Sequence, residues 1–279
     1  MKWTPGRLQM IEIGGVRLEA LCHGPRPDEA KTLVLLHEGL GSVALWRGFP
    51  QRLSAATGFG VFLWSRAGYG GSGPCAMPRP LDYMRIEGEE ILPQVLDVAG
   101  VRSGYLLGHS DGASIAMHYL GAHEDHRITG TILIAPHFFV ESQALAAIAK
   151  ARRAYEEGTL KARLAGYHSN ADTAFYGWND AWLDPGFAHW DITETIAYPR
   201  VPLLAIQGSD DPYGTRAQVD VIGEEAYCPV EIALLDGLGH APHLEAEDAV
   251  VERIAAYISR VDRLEAFGAD PRQAPSLPV

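Results

Sequence analysis

Six short runs of Val, Ile and Leu recur along the chain, and each stops abruptly at Gly, Pro or a small polar cluster. They read "KTLVLLHEGLGS", "GVFLWSRAGYGGSGP", "GYLLGHSDGAS", "RITGTILIAPH", "VPLLAIQGSDDP" and "VEIALLDGLGH". Between several of them lie segments with apolar residues at helical spacing. "LDYMRIEGEEILPQVLDVAG" opens near Asp82 and meets a bend or boundary at Pro93, whereas "AEDAVVERIAAYISRVDRLEAF" is a regular amphipathic helix. Ahead of the first run, "RLQMIEI", Gly14-Gly15 and "VRLEALCHG" form a hairpin pattern. Strands alternating with helices predict an α/β fold, a mostly parallel sheet with helices on both faces. Ligands of such sheets gather at the carboxyl ends of the strands, where this chain concentrates its glycines and polar residues.

The alternation lapses from about residue 137 to residue 199. That interval carries "ALAAIAKARRAYEEGTLKARLAGY" and the aromatic stretch "FYGWNDAWLDPGFAHW". It reads as a helical lid inserted after the sixth strand, dividing a core of residues 1–136 and 200–267, with a frayed tail at 268–279. The net charge of −12 is spread along the chain and no Lys/Arg run interrupts it, so nucleic acid is excluded as a partner. Cys22, Cys75 and Cys228 form no C-x-x-C pair, which argues against a zinc site or a disulfide framework. No apolar run reaches membrane-spanning length and the first residues lack a signal-peptide core, so a cytoplasmic protein without a membrane partner is expected. His118, His123 and His126 match no zinc spacing and are expected at the solvated surface.

Two glycine patterns compete for the chemistry. Gly68, Gly70 and Gly73 have the G-x-G-x-x-G spacing of a dinucleotide-binding turn. That turn needs a helix directly after its glycines, and "PCAMPRP" cannot open one, so no nicotinamide cofactor is expected. The second pattern is G-x-S-x-G at Gly108–Gly112, after an apolar strand and before the helical "ASIAMHYLGA". It describes a sharp strand-to-helix turn with Ser110 at the apex. A serine hydroxyl needs a base, and His240 stands in the Gly-bounded loop after the last apolar run, with His243 read as a rim or structural residue. The imidazole in turn needs an acid, and "GSDDP" offers Asp210 or Asp211 at the preceding strand end.

"HEGLGS", "GHSDG", "GSDD" and "GHAPHLE", in that order and each ending a strand, resemble the motifs of the α/β-hydrolase superfamily, in particular compact bacterial serine hydrolases with a short helical lid. The resemblance covers the chain from the first hairpin to the last helix. It implies a triad of Ser110, Asp211 and His240, because the G-x-x-D pattern counted from Gly208 falls on Asp211. It also implies an oxyanion hole from the backbone amides of Gly39 and Asp111. Two positions depart from the family pattern: Glu38 stands where a glycine is usual, and Ser65 where an aspartate is usual. Glu38 is expected to brace its loop or to contact substrate. Phe138, Phe139, Trp178 and Trp182 are candidate pocket residues among lid aromatics that could equally be the lid's own core. The implied activity is hydrolysis of an ester, thioester or similar acyl bond of a small molecule, without metal or cofactor. Carbon–carbon bond cleavage, a cofactor-free lyase or oxygenase reaction, and a non-catalytic receptor stay open on the same fold. The oligomeric state is not legible.

Overall fold

The apolar runs assemble into one sheet of eight strands in the order β1-β2-β4-β3-β5-β6-β7-β8. In chain order these are β1 (Gln9–Ile13), β2 (Val16–His23), β3 (Thr32–Leu36), β4 (Gly60–Trp64), β5 (Gly104–His109), β6 (Ile128–Ile134), β7 (Leu203–Gly208) and β8 (Val230–Leu235). The computed structural model describes residues 1–266, so the expected tail at 268–279 lies outside the described residues. The hairpin pairs β1 with β2, and β2 pairs antiparallel with β4; all other neighbours are parallel. This is the α/β-hydrolase fold.

Unbroken apolar strands follow from burial on both faces. Along β5, Leu106 joins one core while Tyr105 and Leu107 join the other. Helices α1 (Phe49–Thr57) and α10 (Glu247–Ala266) cover the second face, where Val250, Ile254, Tyr257, Ile258 and Val261 form a buried helical stripe. The first face is covered by α2 (Tyr83–Ile86), α3 (Leu92–Ala99), α4 (Asp111–Ala122) and α8 (Ala217–Glu225). Between α2 and α3 the chain makes a π-turn over Glu87–Ile91. Pro93 has no N–H to offer the carbonyl four residues back and its ring crowds that carbonyl, so the wider turn is accommodated just before it.

Between β6 and β7 the chain forms α5 (Ser142–Glu156), α6 (Thr159–Leu164) and α7 (Ala171–Leu183), followed by two 3-10 turns. Asn170 caps α7 by accepting from the Thr173 N–H at 3.0 Å. Several aromatics of this insertion pack on one another: Tyr155 stacks on Phe175 at 3.8 Å and Phe187 on Trp190 at 5.1 Å. One expectation fails here. His118 is buried, not solvated, because it faces the π-turn across the gap left by Gly88, and burial lowers its pKa to about 4. A four-residue helix, α9 (Pro242–Glu245), precedes α10. No helix of the described residues is long and apolar enough to cross a membrane.

Candidate active site

Strand β5 delivers Ser110 at φ 54° and ψ −121°, a strained positive-φ conformation at the apex of the strand-to-helix turn. The flanking glycines permit the turn. A Cβ on Gly108 would stand 2.3 Å from the Gly112 carbonyl oxygen, and one on Gly112 would stand 2.1 Å from the Leu36 carbonyl oxygen. Any larger residue would push α4 away from β3.

His240, on the loop after β8, brings Nε2 within 2.9 Å of Ser110 Oγ and Nδ1 within 2.8 Å of Asp211 Oδ2. Asp211 is buried at the end of β7 and accepts three further hydrogen bonds, from Gln207 Nε2 at 2.9 Å and from the Tyr213 and Gly214 N–H groups at 2.8 and 3.3 Å. Burial pushes this carboxyl up, but the His240 ring and these donors outweigh it and hold it below the usual carboxylate range. Asp210 is exposed and bonded to Ser209 instead. The His240 backbone is fixed as well, since its carbonyl accepts from His109 Nε2 at 2.7 Å. His243 is buried against Trp46, Phe49 and His109, away from Ser110 Oγ, as a structural residue would be.

A cavity of about 160 Å³ opens on Ser110. Glu38, Gly39, Leu40, Asp111 and His240 line it from the sheet edge. The insertion supplies Ala144, Ile148, Trp178 and Trp182. Phe138 and Phe139 are not among the lining residues. Phe138 is fully buried in the core beneath the insertion, its N–H donating to Gln218 Oε1, and Phe139 bridges to Asp191. His137 lines the cavity in their place, at the end of β6. Burial, then the neighbouring His240 ring, lowers the His137 pKa to about 3, so it stands neutral. Tyr213 also lines the cavity, its ring 4.8 Å from the His240 ring. Its side chain follows from the turn that presents Asp211, a placement the Asp-Asp-Pro-Tyr sequence alone does not announce.

Glu38 faces His109 Nδ1 at 3.6 Å and curls over Gly41. Burial would raise its pKa, but the His109 ring holds it below the usual range. Asp111 is buried and takes a short hydrogen bond from the Tyr83 hydroxyl, which itself accepts from Trp182 Nε1 at 3.2 Å. Burial pushes this carboxyl up, more than Arg66, Tyr83, Arg79 and Trp182 pull it down. At the second departure, Ser65 Oγ donates to Glu19 Oε2 at 2.7 Å and accepts from the Val43 N–H at 2.9 Å. A carboxylate from β2 therefore reaches this loop through the serine.

Residues 33–253 match the alpha/beta hydrolase family, and the chain belongs to it. Among curated proteins, the probable transporter efuK of Hormonema carpetanum is 37% identical over 105 residues, 36% of this chain and 14% of that protein. Epoxide hydrolase B of Mycobacterium tuberculosis is 27% identical over 130 residues, 47% of this chain and 35% of its own. The chain thus matches well under half the length of these curated relatives. Among solved structures, a membrane phospholipase A described as a bacterial virulence factor superposes with a TM-score of 0.76 at 16% identity, covering 92% of this chain and 86% of that one. That likeness is one of fold.

Proposed function

We propose that this α/β hydrolase is a serine hydrolase that cleaves a carboxylic ester, thioester or similar acyl bond of a small molecule through an acyl-Ser110 intermediate. The observation that carries the reading is the continuous hydrogen-bonded line from Ser110 Oγ to His240 to Asp211, at 2.9 and 2.8 Å, opening on a cavity. His240 accepts the Ser110 proton as Oγ attacks the carbonyl carbon, and the Asp211 carboxylate stabilises the imidazolium that results. The amides of Gly39 and Asp111 hold the tetrahedral oxyanion, contributing about 3 kcal/mol each. The Asp111 amide is the first of helix α4 and has no acceptor within its own helix. Collapse expels the alcohol or thiol with the proton from His240. The same imidazole then activates water to release the acid.

The insertion acts as a lid whose Trp178 and Trp182 close the acyl pocket. The lining residues include Glu38 and Asp111 and no lysine or arginine, which favours uncharged acyl compounds over those bearing a carboxylate. Turnover of a panel of neutral and carboxylate-bearing esters, thioesters and lactones tests the reading. Neutral compounds are turned over, and Ser110→Ala lowers kcat by about 10⁴-fold or more. A responsive ester hydrolysed equally by Ser110→Ala would overturn the assignment.

A further inference from the structure

Arg66 is almost completely buried behind the loop that carries Gly39. Its guanidinium donates to two consecutive backbone carbonyls of that loop, from Nη1 to His37 O at 2.5 Å and from Nη2 to Glu38 O at 2.9 Å. Two more donors meet the Glu38 carbonyl: His37 Nδ1 at 2.7 Å and the Gly41 N–H at 3.1 Å. The His37 ring is itself oriented by the Arg66 backbone, whose N–H donates to Nε2 at 3.1 Å. Accepting at Nε2 and donating at Nδ1 requires the neutral imidazole. Burial, then the Arg66 charge, pushes the His37 pKa well below its ordinary value and keeps it in that form.

The Glu38 carbonyl and the Gly39 N–H belong to one peptide unit. A trans peptide directs its C=O and N–H to opposite sides. Three donors fastened on the carbonyl from behind therefore fix the amide toward the opposite side, where Gly39 lines the cavity with Ser110 and Asp111. Trp178 lies close over Gly39, its indole 2.2 Å from where a Cβ would stand, so the loop sits between Arg66 and the lid and only glycine fits there. The guanidinium plane is kept in register by the Tyr69 ring, whose centroid lies 5.1 Å away.

We infer that Arg66 is a positioning residue of the reaction: by holding the His37 and Glu38 carbonyls, it aims the Gly39 amide at the oxyanion. The inference rests on the serine-hydrolase reading and adds to it a residue that never touches substrate. A lysine cannot replace it, because one ammonium does not supply the planar fork that spans two carbonyls. A residue that only supports the fold would change thermal stability. One that aims an oxyanion donor changes transition-state binding and leaves ground-state binding alone.

The experiment compares wild type, Arg66→Lys and Arg66→Gln in hydrolysis of p-nitrophenyl acetate and in inhibition by 1,1,1-trifluoro-2-butanone, which adds reversibly to a serine and places an oxyanion in the hole. Melting curves identify the variants that fold, and Arg66→Lys decides alone if Arg66→Gln does not. The inference predicts a kcat about 10²-fold lower, KM within about twofold of wild type, and a ketone inhibition constant raised by the same factor as kcat falls. Folded variants with unchanged kcat and ketone affinity, or with a lowered melting temperature as the only effect, would overturn it. A wild type that forms no ketone adduct on Ser110 would overturn the serine-hydrolase reading beneath it, a different result from an adduct insensitive to Arg66.

Discussion

Three side chains make the proposed chemistry, and each owes its role to its immediate neighbours. Asp211 shows this best. Its Oδ2 faces His240 Nδ1 while its other oxygen is taken by two backbone N–H groups, so the carboxylate cannot turn away. Asparagine at this position would present an N–H to His240 Nδ1 and favour the tautomer that cannot accept the Ser110 proton. Asp211→Asn is therefore expected to lower kcat at neutral pH by about 10⁴-fold with the melting temperature little changed, as steady-state kinetics and a thermal melt would register. Ser110, Asp211 and His240 were readable from sequence because each stands in a glycine-rich or turn-forming strand end whose spacing has a mechanical reason. The carboxylate that serves the loop at Ser65 was not readable. It comes from Glu19 on β2, and only the antiparallel pairing of Ala20 with Trp64 brings it there. Likewise the partner of Glu38 depends on the way β3 and β5 lie side by side, which places His109 beneath the first loop.

At the scale of elements, the strands announced themselves because burial on both faces demands unbroken apolar runs, and the amphipathic stripe of α10 did so for the opposite reason, one dry face and one wet. The insertion was legible as helical but not in its orientation. A small cluster of helices uses large aromatics both for its own core and for any pocket beneath it, and composition does not separate the two uses. The structure separates them by position along one helix face: Trp178 and Trp182 on α7 line the cavity, whereas Phe175, about one turn earlier on the same face, stacks on Tyr155. Phe138 and Phe139 immediately follow the turn at the end of β6, yet the chain folds back there to bridge Asp191 and carries both rings away from the cavity. The hydrogen-bonded chain Trp182–Tyr83–Asp111 joins α7, α2 and the start of α4, so the insertion and the serine turn are mechanically connected.

Across the whole molecule the fold keeps several histidines out of water. Burial holds His37 and His243 well below the ordinary histidine pKa, His118 at about 4 and His137 at about 3. The unfolded chain binds protons at these positions near pH 6.5, whereas the folded chain refuses them until the pH is far lower. Stability is thus fullest above about pH 6.5 and falls on acidification, each such histidine contributing a slope of about 1.4 kcal/mol per pH unit between its unfolded and folded values. Urea unfolding at pH 7.5, 6.5 and 5.5 should show the midpoint dropping over the lower interval. A midpoint that stays level would mean that these rings are protonated in the native state.

The central claim is that the Ser110 hydroxyl becomes covalently acylated in the course of turnover. Rapid acid quenching of wild-type protein mixed with p-nitrophenyl acetate, followed by peptide mass spectrometry, tests it directly. The account predicts an acetyl group on the peptide at Ser110, transient in the wild type and formed far more slowly in His240→Gln. Sustained hydrolysis with no acyl group on Ser110 at any quench time, even when deacylation is slowed at low pH, would contradict it.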